Sequence, residues 1–148
     1  MDSIESIMTK KVEWIKPSQT VFEATKIMKE KAIGPAIIKT KSIIRHNATI
    51  MPKTVIEPNV DIGSGSKVIN SLIYEDTTIG SASRVKNCII GEGCKIGSSI
   101  KIDSGAIIET NSRIGDNVKI LPDARIWPDI EVDSNSIIKG FLRRDTAN

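Results

Sequence analysis

An Ile or Val residue returns at a nearly constant interval along most of this 148-residue chain. The interval is six residues except at two five-residue steps, from Val68 to Ile73 and from Val85 to Ile90. The seventeen members of the series are Ile44, Ile50, Ile56, Ile62, Val68, Ile73, Ile79, Val85, Ile90, Ile96, Ile102, Ile108, Ile114, Ile120, Ile126, Val132 and Ile138. Neither an α-helix nor an isolated strand has this period. A sustained period of six predicts a parallel β-helix.

A second set of positions supports this prediction. The residue two positions before each member of the series is mostly small or β-branched, with Ile100 and Ile130 as larger exceptions. The small or β-branched residues include Ala48, Thr54, Val60, Ser66, Ser71, Thr77, Ser83, Cys88, Cys94, Ala106, Ser112, Val118, Ala124 and Ser136. Residues two apart in an extended segment point to the same side. We therefore expect both sets to point into the interior.

The residues that follow each aliphatic position are typical of turns. Five of them are glycine, and we expect these to adopt positive φ at the corners of the coil. They are Gly63, Gly80, Gly91, Gly97 and Gly115. Proline, which has no amide hydrogen to donate to a ladder, follows one residue later in four places. These are Pro52, Pro58, Pro122 and Pro128.

Three hexads make one triangular coil of eighteen residues, so the series predicts three inward columns. One column begins at Ile44, the second at Ile50 and the third at Ile56. The two short steps lie seventeen residues apart and therefore stack on the same side of consecutive coils. This alignment predicts that Asn70 lies beneath Asn87 and that Ser71 lies beneath Cys88.

The hexads resemble those of the hexapeptide-repeat family, which implies a left-handed parallel β-helix of about five coils over residues 42–140, followed by a tail at 141–148. The two short steps resemble those in the C-terminal β-helix of sugar-nucleotide pyrophosphorylases of the mannose-1-phosphate guanylyltransferase and glucose-1-phosphate thymidylyltransferase type. Ile126-Trp127-Pro128 is similar to the ending of that domain. The glycine-rich nucleotide loop of those enzymes has no counterpart in these residues, so this resemblance implies no transferase chemistry in this chain.

Residues 1–41 do not follow the hexad. A strand is predicted around Val12–Ile15, a helix starts at the Thr20/Glu23 capping box, and a buried strand follows at Ala36–Ile38. This small segment resembles the first half of a CBS motif. The matching residues are Ile7, Met8, Thr9, Val12, Ile15, Pro17, Thr20, Val21, Glu23, Ala24, Met28, Ile33 and Gly34. The resemblance implies an adenosyl nucleotide as ligand if a second chain completes the motif; the alternative is a structural cap on the β-helix.

Candidate catalytic residues are few. Many hexapeptide proteins are acyltransferases with a catalytic histidine, and His46 is the only histidine here. A γ-class carbonic anhydrase needs three histidines for its zinc ion, so a single histidine excludes that type of site. Cys88 and Cys94 occupy inward positions and are interpreted as buried thiols. We assign no catalytic or metal-binding residue and leave the cofactor-binding residues open.

The net charge and the hydropathy limit the classes of partner that the sequence predicts. The net charge is +3, and residues 1–41 hold eight Lys against five acids, which is too sparse a basic surface to predict nucleic-acid binding. No apolar run reaches the length of a membrane span, and the first residues lack a signal-peptide core. We expect a cytoplasmic protein with no membrane partner.

Three functions follow as hypotheses. The first is a non-catalytic oligomerisation or regulatory module, a homotrimer or dimer that packs along flat faces and is related to sugar-phosphate nucleotidyltransferases. The second is a subunit or C-terminal part of an active pyrophosphorylase. The third is an acyltransferase that uses His46.

Overall fold

The computed structural model describes residues 35–144. The predicted strand at Val12–Ile15, the helix that starts at Thr20 and almost all of the CBS-like segment lie outside the described residues. The Ala36–Ile38 strand lies within them.

The described residues form nineteen strands of two or three residues and no helix. In chain order they are β1 (Ile37–Ile38), β2 (Ile43–Ile44), β3 (Thr49–Ile50), β4 (Val55–Ile56), β5 (Asp61–Ile62), β6 (Lys67–Ile69), β7 (Leu72–Ile73), β8 (Thr78–Ile79), β9 (Arg84–Lys86), β10 (Ile89–Ile90), β11 (Lys95–Ile96), β12 (Lys101–Ile102), β13 (Ile107–Ile108), β14 (Arg113–Ile114), β15 (Lys119–Ile120), β16 (Arg125–Ile126), β17 (Glu131–Val132), β18 (Ile137–Ile138) and β19 (Phe141–Leu142).

These strands form three parallel sheets, because each strand pairs with the strand three places later in the chain. Sheet A has seven strands in the order β1-β4-β7-β10-β13-β16-β19. Sheet B has six, β2-β5-β8-β11-β14-β17, and sheet C has six, β3-β6-β9-β12-β15-β18. Each coil therefore contributes one strand to each sheet, which is the predicted parallel β-helix.

The three predicted columns are confirmed by the strand register. Ile96, for example, pairs with Ile79 on one side and with Ile114 on the other. The three columns are aliphatic throughout, and Ile56, Ile73 and Ile102 are fully buried. The second inward set is also confirmed, since Thr54, Thr77 and Ser112 are fully buried although they are polar. Stacked Ile side chains thus form most of the core, and no aromatic side chain of the described residues is buried.

The two short steps stack as predicted. Asn70 Nδ2 donates a 2.9 Å hydrogen bond to Asn87 Oδ1, and Ser71 Oγ lies 3.7 Å from Cys88 Sγ. Both asparagines adopt positive φ, 44° and 49°, and each completes its turn one residue earlier than a six-residue turn does. The loss of one residue in both turns keeps the columns in phase.

The predicted role of the corner glycines is wrong. In the six-residue turns positive φ falls two residues further along. Among the described residues, fourteen non-glycine residues and four glycines have positive φ, and ten of the fourteen are Asn or Asp. These two residue types tolerate the left-handed region better than others. The five predicted glycines serve close approach between coils instead. A Cβ on Gly80 would lie 2.6 Å from the Gly97 carbonyl carbon, and one on Gly115 would lie 2.6 Å from the Ser134 amide nitrogen.

The ladder extends beyond the predicted bounds of 42–140 at both ends. Ile37–Ile38 pairs with Val55–Ile56, so this predicted strand belongs to the β-helix, and Ile38 is 47% exposed rather than buried. Phe141–Leu142, assigned to a tail, pairs with Arg125–Ile126. The step from Ile138 to Leu142 is only four residues, and Gly140 makes its turn with φ 73°. A search for hexads misses such a step.

Candidate interaction surfaces

The outer face of each sheet carries one main row of side chains. The second residue of each strand points inward, so the first residue of successive strands forms a row on the outside. The three rows differ in chemistry, and the turns between the sheets add further polar columns.

Sheet A presents apolar side chains on the outside. We call the five residues Ile37, Val55, Leu72, Ile89 and Ile107 the apolar row; they lie on five consecutive strands and pair directly with one another. Val55 is buried, Leu72 and Ile107 are half-buried, and Ile89 is 39% exposed. An outward aliphatic row is unusual on a solenoid face that contacts only water, and it marks a contact surface.

Two aromatic side chains stand at the border of sheet A. Tyr74 and Trp127 each follow a sheet A strand and are 37% and 41% exposed. The Arg125 guanidinium lies 5.7 Å from the Trp127 ring centroid and donates a 2.9 Å hydrogen bond to Glu109 Oε2. Exposed aromatic residues beside an apolar surface are typical of protein contacts.

Sheet C is basic. We call Lys67, Arg84, Lys101 and Lys119 the basic ladder; they occupy equivalent outward positions on β6, β9, β12 and β15. Lys86, the third residue of β9, is also exposed on this side. Within residues 35–144 none of these five cations forms an ion pair, and no carboxylate lies on the strands of this sheet.

The turns between sheets A and B are acidic. We call Glu57, Glu75, Asp76, Glu92, Glu109 and Asp129 the acidic edge; they lie on five consecutive turns. Glu57 is buried and pairs with the buried Lys39 at 3.2 Å, while Glu109 pairs with Arg125. Asp76 accepts a hydrogen bond from Asn59. Glu75, Glu92 and Asp129 are exposed.

Sheet B borders an open groove of about 400 Å³. Its lining includes Lys95 and Arg113 on neighbouring strands, together with Gly97 and Gly115. These two glycines approach each other closely, and neither has a side chain to extend into the groove. Glu131 and Asp133 also line it, so its two cations are balanced by two carboxylates.

His46 lies on the exposed turn between sheets B and C. Its column continues through Ser64 and Ser81 to Ser98, Asp116 and Ser134, and the side chains of these last three each accept a hydrogen bond from an amide of the preceding coil. In the described part of the chain the His46 imidazole has no hydrogen-bond or ion-pair partner. On the neighbouring strand, a hydrogen bond from Arg45 lowers the pKa of Asp61, with N–O distances of 2.7 and 2.8 Å.

The cysteines are buried thiols, as predicted. Burial raises the pKa of Cys88 to about 12 and also raises the pKa of Cys94. The Cys94 thiol donates to the Glu109 carbonyl oxygen at 3.0 Å. Across residues 35–144 no group of three His, Cys, Asp or Glu side chains is arranged to hold a metal ion. The same residues contain no helix that could cross a membrane.

The sequence interpretation missed the apolar row and the basic ladder, although a signal for both was present. The residue just before each inward aliphatic position points outward, and every third such residue belongs to one sheet. Reading Val55, Leu72, Ile89 and Ile107 together, and Lys67, Arg84, Lys101 and Lys119 together, identifies both surfaces.

Two curated relatives match most of the chain. Glucose-1-phosphate adenylyltransferase from Acetivibrio thermocellus is 26% identical over 152 aligned positions, which cover 84% of this chain and 36% of that enzyme. The bifunctional protein GlmU from a Geobacillus species is 34% identical over 133 positions, which cover 81% of this chain and 25% of that protein. The chain thus spans about a third or less of the length of these relatives.

Solved structures share the fold. A point mutant of GDP-perosamine N-acetyltransferase from Caulobacter crescentus, in complex with CoA and GDP-perosamine, superposes with a TM-score of 0.64 at 13% identity, covering 80% of this chain and 63% of that one. A hexapeptide transferase family protein from Anaplasma phagocytophilum has a TM-score of 0.62 at 20% identity, covering 76% and 77% of the two chains. At these identities the likeness concerns the fold alone.

The family is established by a longer match. The family profile described as the GMPPB C-terminal domain matches residues 32–142, which include every strand of the β-helix. The resemblance to the C-terminal β-helix of sugar-nucleotide pyrophosphorylases is therefore confirmed. This chain belongs to the GMPPB C-terminal domain family.

Proposed function

We propose that this β-helix is a non-catalytic assembly module of the sugar-phosphate nucleotidyltransferase type, and that two copies associate through the outer face of sheet A. The observation that carries the proposal is the apolar row. Three of its members, Leu72, Ile89 and Ile107, lie in the middle of the solenoid on consecutive strands and retain exposed surface.

A second copy is the occupant that suits this row best. Two identical sheet A faces related by a two-fold axis bring the same aliphatic side chains together, and both faces have the same spacing of about 4.8 Å between strands. Covering an exposed Ile contributes roughly 1.5–3 kcal/mol of transfer free energy when its burial is complete. Tyr74 and Trp127 border the row and supply the rim of the contact.

The test is the solution mass of the protein by light scattering. Wild type should exceed the 16.2 kDa of one chain, and Ile89→Asp should reduce the mass because a carboxylate in the contact loses its hydration. Thr78→Asp is the matched control, since Thr78 is an exposed strand residue on sheet B. A wild-type protein that stays monomeric, or a mass that Ile89→Asp leaves unchanged, would contradict the proposal.

A second function is favoured by the lengths of the relatives. The matched region is about a third or less of an adenylyltransferase and of a bifunctional protein, so the same face could instead hold a nucleotidyltransferase domain or subunit. Co-expression with the remaining part of the Acetivibrio relative tests this function. Co-elution that Ile89→Asp abolishes and Thr78→Asp preserves would support it, and separate elution would count against it.

A further inference from the structure

The basic ladder sets like charges side by side. Neighbouring strands of a sheet lie about 4.8 Å apart, so Lys67, Arg84, Lys101 and Lys119 are stacked at that interval. Like charges directly opposite each other destabilise a sheet. A local choice that opposes the fold is a mark of function. The ladder therefore calls for an anionic partner.

The acidic edge offers exposed anions on the same coils. Its carboxylates lie on five consecutive turns, and one coil separates each turn from the next. Glu75 and Glu92 occupy equivalent positions on successive turns, each two residues after its inward aliphatic residue. Because the ladder and the edge are built on the same coils, the interval of one coil between Glu75 and Glu92 matches the interval between neighbouring cations of the ladder. In the described residues, Glu75, Glu92 and Asp129 form no ion pair.

We propose that the basic ladder of one copy binds the acidic edge of a second copy. In a three-sided coil the edge between sheets A and B lies opposite sheet C, so each copy keeps a free ladder on one side and a free edge on the other. The contact is heterologous, and contacts on opposite sides of a molecule do not close into a dimer. The resulting assembly grows with protein concentration.

Salt distinguishes this contact from the apolar contact on sheet A. Raising NaCl from about 0.1 M to about 1 M shortens the screening length from roughly 10 Å to roughly 3 Å, which weakens exposed ion pairs. Apolar association is not weakened by that change. The charge contact is independent of the function proposed above, and it is tested most cleanly with the Ile89→Asp substitution present in every variant.

The decisive experiment mixes two charge-neutralised chains. One carries Arg84→Gln and Lys101→Gln, which removes the centre of its ladder, and the other carries Glu75→Gln and Glu92→Gln, which removes the exposed carboxylates of neighbouring turns from its edge. Each chain keeps one surface, so each alone should be monomeric by sedimentation velocity. An equimolar mixture should form a complex of two chains that dissociates in about 1 M NaCl. The control is a chain with Lys95→Glu, a substitution on sheet B that leaves the ladder and the edge intact. This chain alone should assemble to the same extent as the chain that carries only Ile89→Asp.

Three results would overturn the proposal. The first is a mixture that stays monomeric at about 0.1 M salt while circular dichroism shows both chains folded. The second is association of either variant alone to the same extent as the Ile89→Asp chain whose ladder and edge are both intact. The third is a ladder that binds DNA and loses this binding on Lys101→Glu, without any self-association, because the partner would then be a nucleic acid.

Discussion

Asn70 donates a 2.9 Å hydrogen bond from its side-chain amide to the side-chain oxygen of Asn87, one coil above it. Asn87 in turn donates to Ser104 Oγ at 3.0 Å, so a polar column crosses three coils at this corner. Both asparagines also adopt positive φ in a shortened turn. One residue type thus supplies the turn conformation and the contact between coils.

Replacing Asn87 separates these two contributions. Both Asn87→Ala and Asn87→Gly lose the two side-chain hydrogen bonds. Alanine has a Cβ and is strained at the positive φ of this position, whereas glycine is not. We expect Ala to lower the free energy of unfolding by about 1 kcal/mol more than Gly does, as measured in urea. Equal effects of the two variants would mean that the turn conformation contributes nothing.

Two glycines test whether close approach between coils, and not positive φ, requires glycine at the corners. Gly80→Ala places a Cβ 2.6 Å from the Gly97 carbonyl carbon, while Gly65→Ala meets open space but keeps a φ of 71°. We expect Gly65→Ala to cost about 1–2 kcal/mol of stability and Gly80→Ala to cost more, because two coils must separate. Thermal unfolding of both variants measures the difference. A milder effect at Gly80 would contradict close approach as the reason for glycine there.

The interior columns should dominate stability. Ile96 is 3% exposed in the middle of sheet B, and Ile96→Ala should lower the free energy of unfolding by about 2–5 kcal/mol. Lys95→Ala, on the outside of the same strand, is the control and should change it by less than about 0.5 kcal/mol. Urea unfolding that shows a loss below about 1 kcal/mol for Ile96→Ala would place this side chain outside the core.

The thiols should be inert while the chain is folded. Burial raises the pKa of Cys88 from 9.0 to about 12, and the thiolate is the reactive form. At pH 8 we expect a thiol-specific reagent to label neither cysteine of the native protein and to label both in urea. Rapid labelling without denaturant would show that the column holding Cys88 opens readily.

The same burial makes stability depend on alkaline pH. The folded state holds the Cys88 proton up to a pKa of about 12, whereas the unfolded chain releases it near 9.0. The contribution is therefore complete below the unfolded value and is lost as pH rises through this window. Cys88→Ala should show a flatter decline of unfolding free energy there than wild type. Parallel declines would contradict a raised pKa.

The interior could be predicted from the sequence because each inward position has one requirement that every coil repeats. An aliphatic side chain at Ile79, Ile96 and Ile114 meets that requirement independently of the rest of the chain. The stacking of Asn70 on Asn87 followed from the same periodicity, since both short steps lose the residue at the same corner.

The corner glycines could not be interpreted in this way. Their reason lies in contacts between residues about one coil apart, such as Gly80 and Gly97, while the conformation of a single turn is a local property. Leu142 was not included in the series of aliphatic positions because it lies only four residues after Ile138, with the turn made by Gly140. The surface rows required the assignment of strands to sheets, because Leu72 and Ile89 become neighbours only when the coils stack.

The most direct test of the proposed assembly measures whether the apolar row is covered in solution. Because the native thiols are buried, a cysteine introduced at position 89 reports on that face alone. Under reducing conditions, we expect maleimide to label Ile89→Cys slowly at high protein concentration and quickly on dilution, while Thr78→Cys is labelled quickly at both. Fast labelling of Ile89→Cys at every concentration would show that the face is open to water, and would contradict assembly through sheet A.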